Sequence, residues 1–213
     1  MIKESNSKNT AMYTIVIIVF FLVGFVLSTD IRKSNYEEIP EGVLWPNPPK
    51  INSFFLNDSN NQAFTLDSLR GKWSILFFGF TNCPDICPST LNTLAKIERE
   101  VDSIEEIQLI FVSVDPERDS NKVLKLYTSN FSDTIIPVSG SMEELKILAS
   151  SVGALFIHKA VDENFYSVDH SAGLFIINPD AQLFSVITPP IHSNLIKQRL
   201  LSAQKFFSKH RAN

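Results

Sequence analysis

The 213-residue sequence has few of the residues on which several common folds and sites depend. It contains two cysteines, four histidines and seven glycines. Two cysteines are too few for the disulfide framework of a small secreted domain. The net charge is −4 and no stripe of lysine and arginine is present, which argues against nucleic acid as a partner. Because internal repeats and low-complexity segments are also absent, repeat architectures are excluded.

The remaining composition is typical of one globular domain with an additional segment. Hydrophobic residues make up 44% of the chain and charged residues 20%, and the 17 phenylalanines indicate a well-filled core. A chain of 213 residues has room for one ordinary domain and an appendage.

The appendage lies at the N-terminus. Residues 1–10 are polar, and residues 11–28 form an apolar run without charge. A spanning helix needs about 17–25 such residues. A cleaved signal peptide is the alternative, but Val26, Leu27 and Ser28 do not form the small-residue cleavage site that it requires. We therefore predict a short cytoplasmic N-terminus over 1–10 and a single transmembrane helix over 11–28, with the rest of the chain on the outer side.

Residues 29–50 are predicted to form a proline-rich tether, in which Trp45 docks on the folded body. The folded domain is predicted over residues 51–213. In that range, strand patterns alternate with helix patterns, and the chain closes with a hairpin and an amphipathic helix. Such an order predicts an α/β sandwich with a mixed sheet.

The clearest elements surround the two cysteines. Continuous apolar runs over residues 73–80 and 107–114 predict buried central strands, and helical periodicity over 89–103 predicts a helix between them. Further along the chain, Ser141 with Glu144 three residues later predicts a capping box at a helix start.

Both cysteines lie in the stretch Cys83-Pro84-Asp85-Ile86-Cys87-Pro88, directly after the first apolar run. Pro88 suits the first turn of a helix, which places Cys87 at the helix N-terminus and Cys83 in the loop before it. The helix dipole there favours a thiolate, which is both a redox nucleophile and a soft metal ligand. Thiol–disulfide exchange and metal binding are both open. A purely structural disulfide is disfavoured, because short loops gain least from cross-linking.

Two thiolates suit Cu(I), and a histidine is the natural third ligand. His170 is the best candidate, because it stands in a loop directly before a buried strand, where Asp169 or a backbone carbonyl would fix its tautomer. A loop histidine without a ligand role is the alternative. We expect His158 at a strand end on the surface, His192 as a capping or surface residue, and His210 in solvent.

Three blocks of the sequence closely resemble the Sco/SenC family. They are residues 79–88, which contain both cysteines, residues 112–119, and residues 168–172. The resemblance covers about residues 50–205, and an N-terminal anchor before a tether is also the family's plan. It implies a thioredoxin-like fold that binds copper, as Cu(I) or Cu(II), through Cys83, Cys87 and His170.

The resemblance also implies a function in assembling the dinuclear copper site of cytochrome c oxidase. Family members deliver copper to that site, reduce the cysteines of the oxidase subunit, or do both. The expected partner is this copper-site subunit or another cuproprotein, and the expected location is the bacterial inner membrane, single-pass, with the domain on the periplasmic side. The alternative is a thiol–disulfide oxidoreductase without metal delivery, in which Cys83 and Cys87 form a reversible disulfide.

The roles of other residues near these blocks stay open at this point. Asp115 and Arg118 match a family motif, and a loop salt bridge, a helix cap at Asp119 and a partner contact are all compatible with it. Asp85 either tunes the thiolates or accepts backbone N–H groups in a turn. The turn at residues 178–181 lacks the glycine that is common there in the family.

Overall fold

The computed structural model describes residues 5–33, 38–100, 107–162 and 166–211. It divides the chain into two compact units, Met1–Ile39 and Pro40–Asn213. The first unit contains helix α1 (Ser5–Lys33), so the predicted helix is present and is longer than the apolar run at residues 11–28. Among the described residues, however, no helix combines the length and the apolar character that crossing a membrane requires.

The second unit is built on a seven-stranded mixed sheet. Its strands are β1 (Phe55–Asp58), β2 (Ala63–Thr65), β3 (Trp73–Gly79), β4 (Ile107–Ser113), β5 (Ile136–Ser139), β8 (Leu174–Ile177) and β9 (Leu183–Ile187). They lie in the order β2-β1-β5-β4-β3-β8-β9. Neighbouring strands β3, β4 and β5 run parallel, and the other pairs are antiparallel. The predicted α/β architecture with a mixed sheet is therefore confirmed.

Strand β3 is buried along its whole length between β4 and β8. Successive side chains of a strand point to opposite faces, so β3 contributes to a core on each face of the sheet. Ile75 and Phe77 belong to one core, and Leu76 and Phe78 belong to the other. The continuous apolar run at residues 73–80 is explained by this burial on both sides.

Helices cover both faces of the sheet and complete the sandwich. Helices α2 (Ile86–Glu100), α3 (Asn121–Ser129) and α5 (Ser193–Arg211) contribute to the core that contains Phe77, whereas α4 (Met142–Val152) contributes to the other core. The predicted end of α2 at residues 101–103 lies outside the described residues.

The predicted capping box is only half formed. The Ser141 hydroxyl accepts a hydrogen bond from the Glu144 backbone N–H and caps α4. The Glu144 carboxylate accepts a 2.7 Å hydrogen bond from the Phe55 backbone N–H instead of returning to Ser141. The carboxylate that would complete the capping box therefore binds strand β1 instead.

Strands β6 (Phe156–Ala160) and β7 (Tyr166–His170) form a separate two-stranded antiparallel sheet. Part of the connection between them, at residues 163–165, lies outside the described residues. His170 is the last residue of β7 rather than a member of the following loop, which corrects its predicted placement.

Residues 40–50 belong to the second unit, although the sequence predicts them as part of a tether. Val43 forms an isolated bridge with Ser185 of β9, and Lys50 forms one with Gln182, the residue before β9, so residues 43–50 run along this strand. Trp45 packs edge-on against Phe206 with the ring centroids 5.4 Å apart, which confirms its predicted docking on the folded body.

The prediction of a solvated His210 is wrong. Its ring is stacked on that of Phe206, with the centroids 4.0 Å apart, and lies 5.0 Å from the ring of Trp45. The charged neighbours Lys209 and Arg211 indicate a solvated end from the sequence alone, but the helix turns this one side chain toward the docked segment.

Candidate metal centre

The cysteine stretch forms a turn that leads from β3 into α2. Helix α2 begins at Ile86, so Cys87 lies in its first turn and Cys83 lies in the loop before it, as the sequence predicts. The Cys83 backbone N–H donates to the Phe80 carbonyl oxygen, and the Cys87 backbone N–H donates to the Cys83 sulfur at 3.4 Å. An N–H at the helix N-terminus, which has no partner within the helix, is thereby directed at Cys83.

His170 reaches the same place from the end of β7. Its Nε2 atom lies 3.5 Å from the sulfur of Cys87. Its Nδ1 atom lies 3.1 Å from the Ser171 carbonyl oxygen, which fixes the tautomer that carries the proton on Nδ1 and leaves the Nε2 lone pair directed toward the sulfur. Of the two partners predicted for this ring, the backbone carbonyl is the one used, since the carboxylate of Asp169 forms an ion pair with Lys159 instead.

The side chains of Cys83, Cys87 and His170 together form a potential metal site. Their ligand atoms all lie within 4.8 Å of one another. Two sulfur atoms and one imidazole nitrogen form a soft donor set with a low ligand number. In the part of the chain that the structure describes, no other group of three or more histidine, cysteine or acidic side chains has this spacing.

The histidine predicted to be a ligand is thus the one that joins the cysteines, and the other three lie elsewhere. His158 is half-buried in the middle of β6 rather than at a strand end, and its ring packs edge-on against Tyr166. His192 is exposed before α5. Both agree with a role outside the site.

The charge state of Cys87 differs from the expectation for a helix N-terminus. Its side chain is fully buried, and this burial raises the pKa of the thiol well above its usual range, with a further contribution from the hydrogen bond to Cys83. The direction of this pKa shift runs against the predicted thiolate at Cys87 in the metal-free protein, because burial disfavours the charged form. Cys83, in contrast, is only half-buried.

His170 is held in the form that binds metals. Burial lowers the pKa of its imidazole below the ordinary value of 6.5, so the ring is neutral at neutral pH. The ring edges contact two aromatic side chains, with centroid distances of 6.2 Å to Phe77 and 5.8 Å to Phe80.

The carboxylate of Asp119 holds the cysteine loop to the end of β4. It is nearly fully buried and accepts hydrogen bonds from the Thr81 backbone N–H at 3.0 Å, the Thr81 hydroxyl at 2.5 Å and the Ser113 hydroxyl at 2.6 Å. The helix cap considered for Asp119 is wrong, because Ser120 is the N-cap of α3. Sequence reasoning missed Thr81, although it stands only two residues before Cys83.

A cavity of about 320 Å³ lies beside the start of α2. Asp85 and Ile86 line one part of it, and Ala172, two residues after His170, lines another, together with Pro189. Asp85 and Ile86, which stand between the two cysteines in the sequence, are exposed. The two roles predicted for Asp85, tuning the thiolates and accepting backbone N–H groups in a turn, both stay predictions.

Comparison with known proteins identifies the family to which this fold and site correspond. Residues 46–203 match the model of the SCO1/SenC family. A Stutzerimonas stutzeri protein named for copper binding is 38% identical over 151 residues, which cover 70% of this chain and 74% of that protein. The mitochondrial protein SCO2 of Saccharomyces cerevisiae is 38% identical over 138 residues, 63% of this chain and 46% of its own length. The chain thus spans less than half of this mitochondrial relative.

Solved structures agree with the sequence match. The crystal structure of yeast Sco1 with copper bound has a TM-score of 0.70 and 30% identity, and the likeness covers 78% of this chain and 95% of that one. Arabidopsis thaliana ScoI with copper bound has a TM-score of 0.66 and 30% identity, covering 72% of this chain and 97% of that one. The family model matches well over half of the chain, and the fold is that of these Sco structures. The chain therefore belongs to the SCO1/SenC family.

Proposed function

We propose that this protein binds copper as Cu(I) through Cys83, Cys87 and His170 and delivers it to another protein. The observation that carries the proposal is the spacing of the three ligand atoms, which lie within 4.8 Å of one another although His170 is 83 residues from Cys87. Two sulfurs and one imidazole suit Cu(I), which accepts soft ligands. The copper-bound structures of two relatives with the same fold support this choice of metal.

Copper is the cargo, and the protein's own groups determine how it is taken up. A protonated Cys87 thiol must lose its proton to bind a metal, whereas the neutral His170 presents a free lone pair. Uptake of Cu(I) therefore releases the proton of the Cys87 thiol and none from His170. Release proceeds by exchanging one ligand at a time with the ligands of an acceptor, beginning on the side of the half-buried Cys83.

The proposed acceptor is the copper-site subunit of cytochrome c oxidase or another cuproprotein, to which family membership points. Delivery to a membrane complex is favoured by a carrier held at the same membrane. We propose that the uncharged residues 11–28 of α1 anchor the chain in the bacterial inner membrane, with the second unit on the periplasmic side.

A second candidate function is thiol–disulfide exchange with a target protein. The observation that favours it is the approach of the two free cysteines, whose sulfurs lie within 4.8 Å of each other. A disulfide needs about 2.05 Å between the sulfurs, so a small movement of the loop before α2 closes the bond. Oxidation of the two thiols would then deliver two electrons and two protons to the disulfide of the target.

Copper binding is tested with the full chain in detergent. The reduced protein is titrated with Cu(I) against a competing chelator, beside the variants Cys83→Ser, Cys87→Ser and His170→Ala. We expect each variant to lose more than about tenfold in affinity, because even groups that only support metal ligands are worth about 10–100-fold. The matched control is His192→Ala, which removes an exposed histidine outside the site.

The outcomes separate the two functions. Unchanged Cu(I) affinity in all three variants would show that the site assignment is wrong. If the wild type binds no copper, and His170→Ala still reduces a protein disulfide at the wild-type rate without metal, the thiol–disulfide oxidoreductase is the function.

A further inference from the structure

The ligand His170 belongs to a different sheet from the one that leads to the cysteines. The cysteine loop follows β3 in the seven-stranded sheet, whereas His170 ends β7 in the separate sheet of β6 and β7. Residues 171–173 join His170 to β8, and Leu174 of β8 pairs with Phe77 of β3, so this short link holds the end of β7 near the cysteine turn. Among the described residues, the start of β7 has no strand pairing with the main sheet, and side-chain contacts hold it there.

Tyr166, the first residue of β7, makes the most specific of these contacts. Its hydroxyl donates a 2.5 Å hydrogen bond to Oδ1 of Asp115, in the loop after β4. Nη1 of Arg118, in the same loop, donates to the Tyr166 carbonyl oxygen at 3.2 Å. The guanidinium carbon of Arg118 lies 3.9 Å from the centre of the Tyr166 ring, which is a cation–π distance.

Asp115 and Arg118 are themselves held in place. Nε of Arg118 lies 2.5 Å from Oδ2 of Asp115, whose side chain is only 1% exposed. The Asp115 carbonyl oxygen accepts hydrogen bonds from the backbone N–H groups of Arg118 and Asp119, so the loop forms a tight turn. Two charge-assisted bonds and a stacked ring therefore tie the start of β7 to a fixed turn.

The same turn also holds the cysteine loop. Asp119, its last residue, binds both the backbone N–H and the hydroxyl of Thr81, two residues before Cys83. The turn at residues 115–119 thus contacts two segments. Asp115 and Arg118 bind the start of β7, which ends in His170, and Asp119 binds the loop that contains Cys83. The salt bridge between Asp115 and Arg118 that the sequence leaves open is confirmed, and it joins the two residues that bind Tyr166.

We propose that Asp115, Arg118 and Tyr166 form a clamp that positions His170 against the sulfurs of Cys83 and Cys87. They are positioning residues, and none of the three belongs to the ligand set. The inference rests on the proposed function, because Cu(I) affinity is the measurement that reports whether His170 is in position. An ordinary stabilising role for the same contacts is the competing explanation, and it makes different predictions.

The test uses the full chain with the variants Tyr166→Phe and Arg118→Lys. Tyr166→Phe removes only the hydroxyl bond and keeps the ring, and Arg118→Lys keeps the charge but removes the planar fork. The matched control is Arg70→Lys, because Arg70 forms the same kind of bridge with Asp67 three residues earlier, at 3.1 Å, between two exposed side chains at the end of a 3₁₀ helix (Leu66–Leu69).

We expect each clamp variant to bind Cu(I) about tenfold more weakly, in the range of other groups that orient metal ligands, and the control to bind it as the wild type does. In the His170→Ala background, Tyr166→Phe is expected to have no further effect. In the copper-free protein, the NMR signals of the His170 ring shift in both clamp variants. In the Cu(II)-loaded protein, the nitrogen hyperfine signal of the imidazole weakens in the electron paramagnetic resonance spectrum.

The proposal is overturned if both variants unfold more easily but keep the wild-type Cu(I) affinity and His170 ring signals. It is also overturned if Tyr166→Phe weakens Cu(I) binding equally with and without His170, because the clamp would then act on the cysteines. If the wild type binds no copper, the proposed function fails, and the His170 signals of the copper-free variants still decide the positioning role. If Arg118→Lys does not fold, Tyr166→Phe alone decides it.

Discussion

Gly79 lies so close to Cys87 that a side chain at residue 79 has no space. A Cβ atom built on Gly79 would lie 2.7 Å from the Cys87 sulfur and 2.7 Å from a ring carbon of Phe111. Both neighbours are fully buried. The glycine at the end of β3 therefore makes the room in which the Cys87 sulfur sits.

Gly79→Ala is expected to weaken both folding and Cu(I) binding. Overpacking a buried site costs about 1–3 kcal/mol of unfolding free energy, and the displaced sulfur no longer meets His170 at the right distance. Urea unfolding and chelator competition measure the two effects. The control is Gly153→Ala, where φ is +73° and space is open, so the strain lowers stability by about 1–2 kcal/mol while Cu(I) affinity is retained. Wild-type affinity in Gly79→Ala would contradict this account.

Asp119→Ala is expected to destabilise the protein strongly. The change leaves the Thr81 N–H and two hydroxyls without their acceptor, and each buried unsatisfied group costs about 1–3 kcal/mol. Asp67→Ala is the control, because its side chain is 88% exposed and an exposed ion pair is worth about 0–1 kcal/mol. Urea unfolding of the two variants should differ clearly, and equal stability would show that the buried network contributes little.

Stability of the copper-free protein is expected to fall as the pH is lowered below 6.5. The pKa of His170 is lowered by burial from its ordinary value of 6.5, so in this window the unfolded chain binds a proton at His170 that the folded protein does not. The free energy of unfolding then rises with pH, and this contribution is complete above 6.5 and is lost toward the lowered pKa. Urea unfolding across this range measures it. His170→Gln should flatten the dependence, and His192→Gln should leave it unchanged.

Removal of copper is expected to lower the thermal stability of the wild-type protein. A ligand that binds only the folded state adds about 2.7 kcal/mol at a free concentration one hundred times its dissociation constant. Melting curves recorded with Cu(I), and again after adding a strong Cu(I) chelator, measure the difference. Cys83→Ser should show a much smaller difference, and equal melting temperatures of the wild type with and without copper would argue against specific binding.

The central strands and the cysteine turn are predictable because their causes are local. Burial on both faces makes the run at residues 73–80 continuously apolar, and Pro88 marks the first turn of α2. The identification of His170 depended on resemblance, since the sequence alone also allowed an ordinary loop histidine. The structure adds the reason, which is that β7 ends beside the N-terminus of α2.

The features that sequence reasoning missed depend on partners distant in the chain. Thr81 and Asp119 are 38 residues apart, and no local pattern indicates their hydrogen bonds. The raised pKa of Cys87 comes from burial by the whole fold, which opposes the local effect of the helix end. At the turn without glycine, Ala181 itself adopts φ of +56°, and the side chain of Asn178 accepts two backbone N–H groups that stabilise it.

The pairing of residues 43–50 with β9 has a practical consequence for work with the isolated second unit. An edge strand with unpaired N–H and C=O groups is a template for pairing with other chains. A fragment that begins at residue 51 lacks both Val43 and Lys50, the bridge partners of Ser185 and Gln182, and would expose the edge of β9 to self-association. A fragment that begins at Pro40 keeps the edge covered, so oligomers seen only with the shorter fragment would be a product of where the chain was cut.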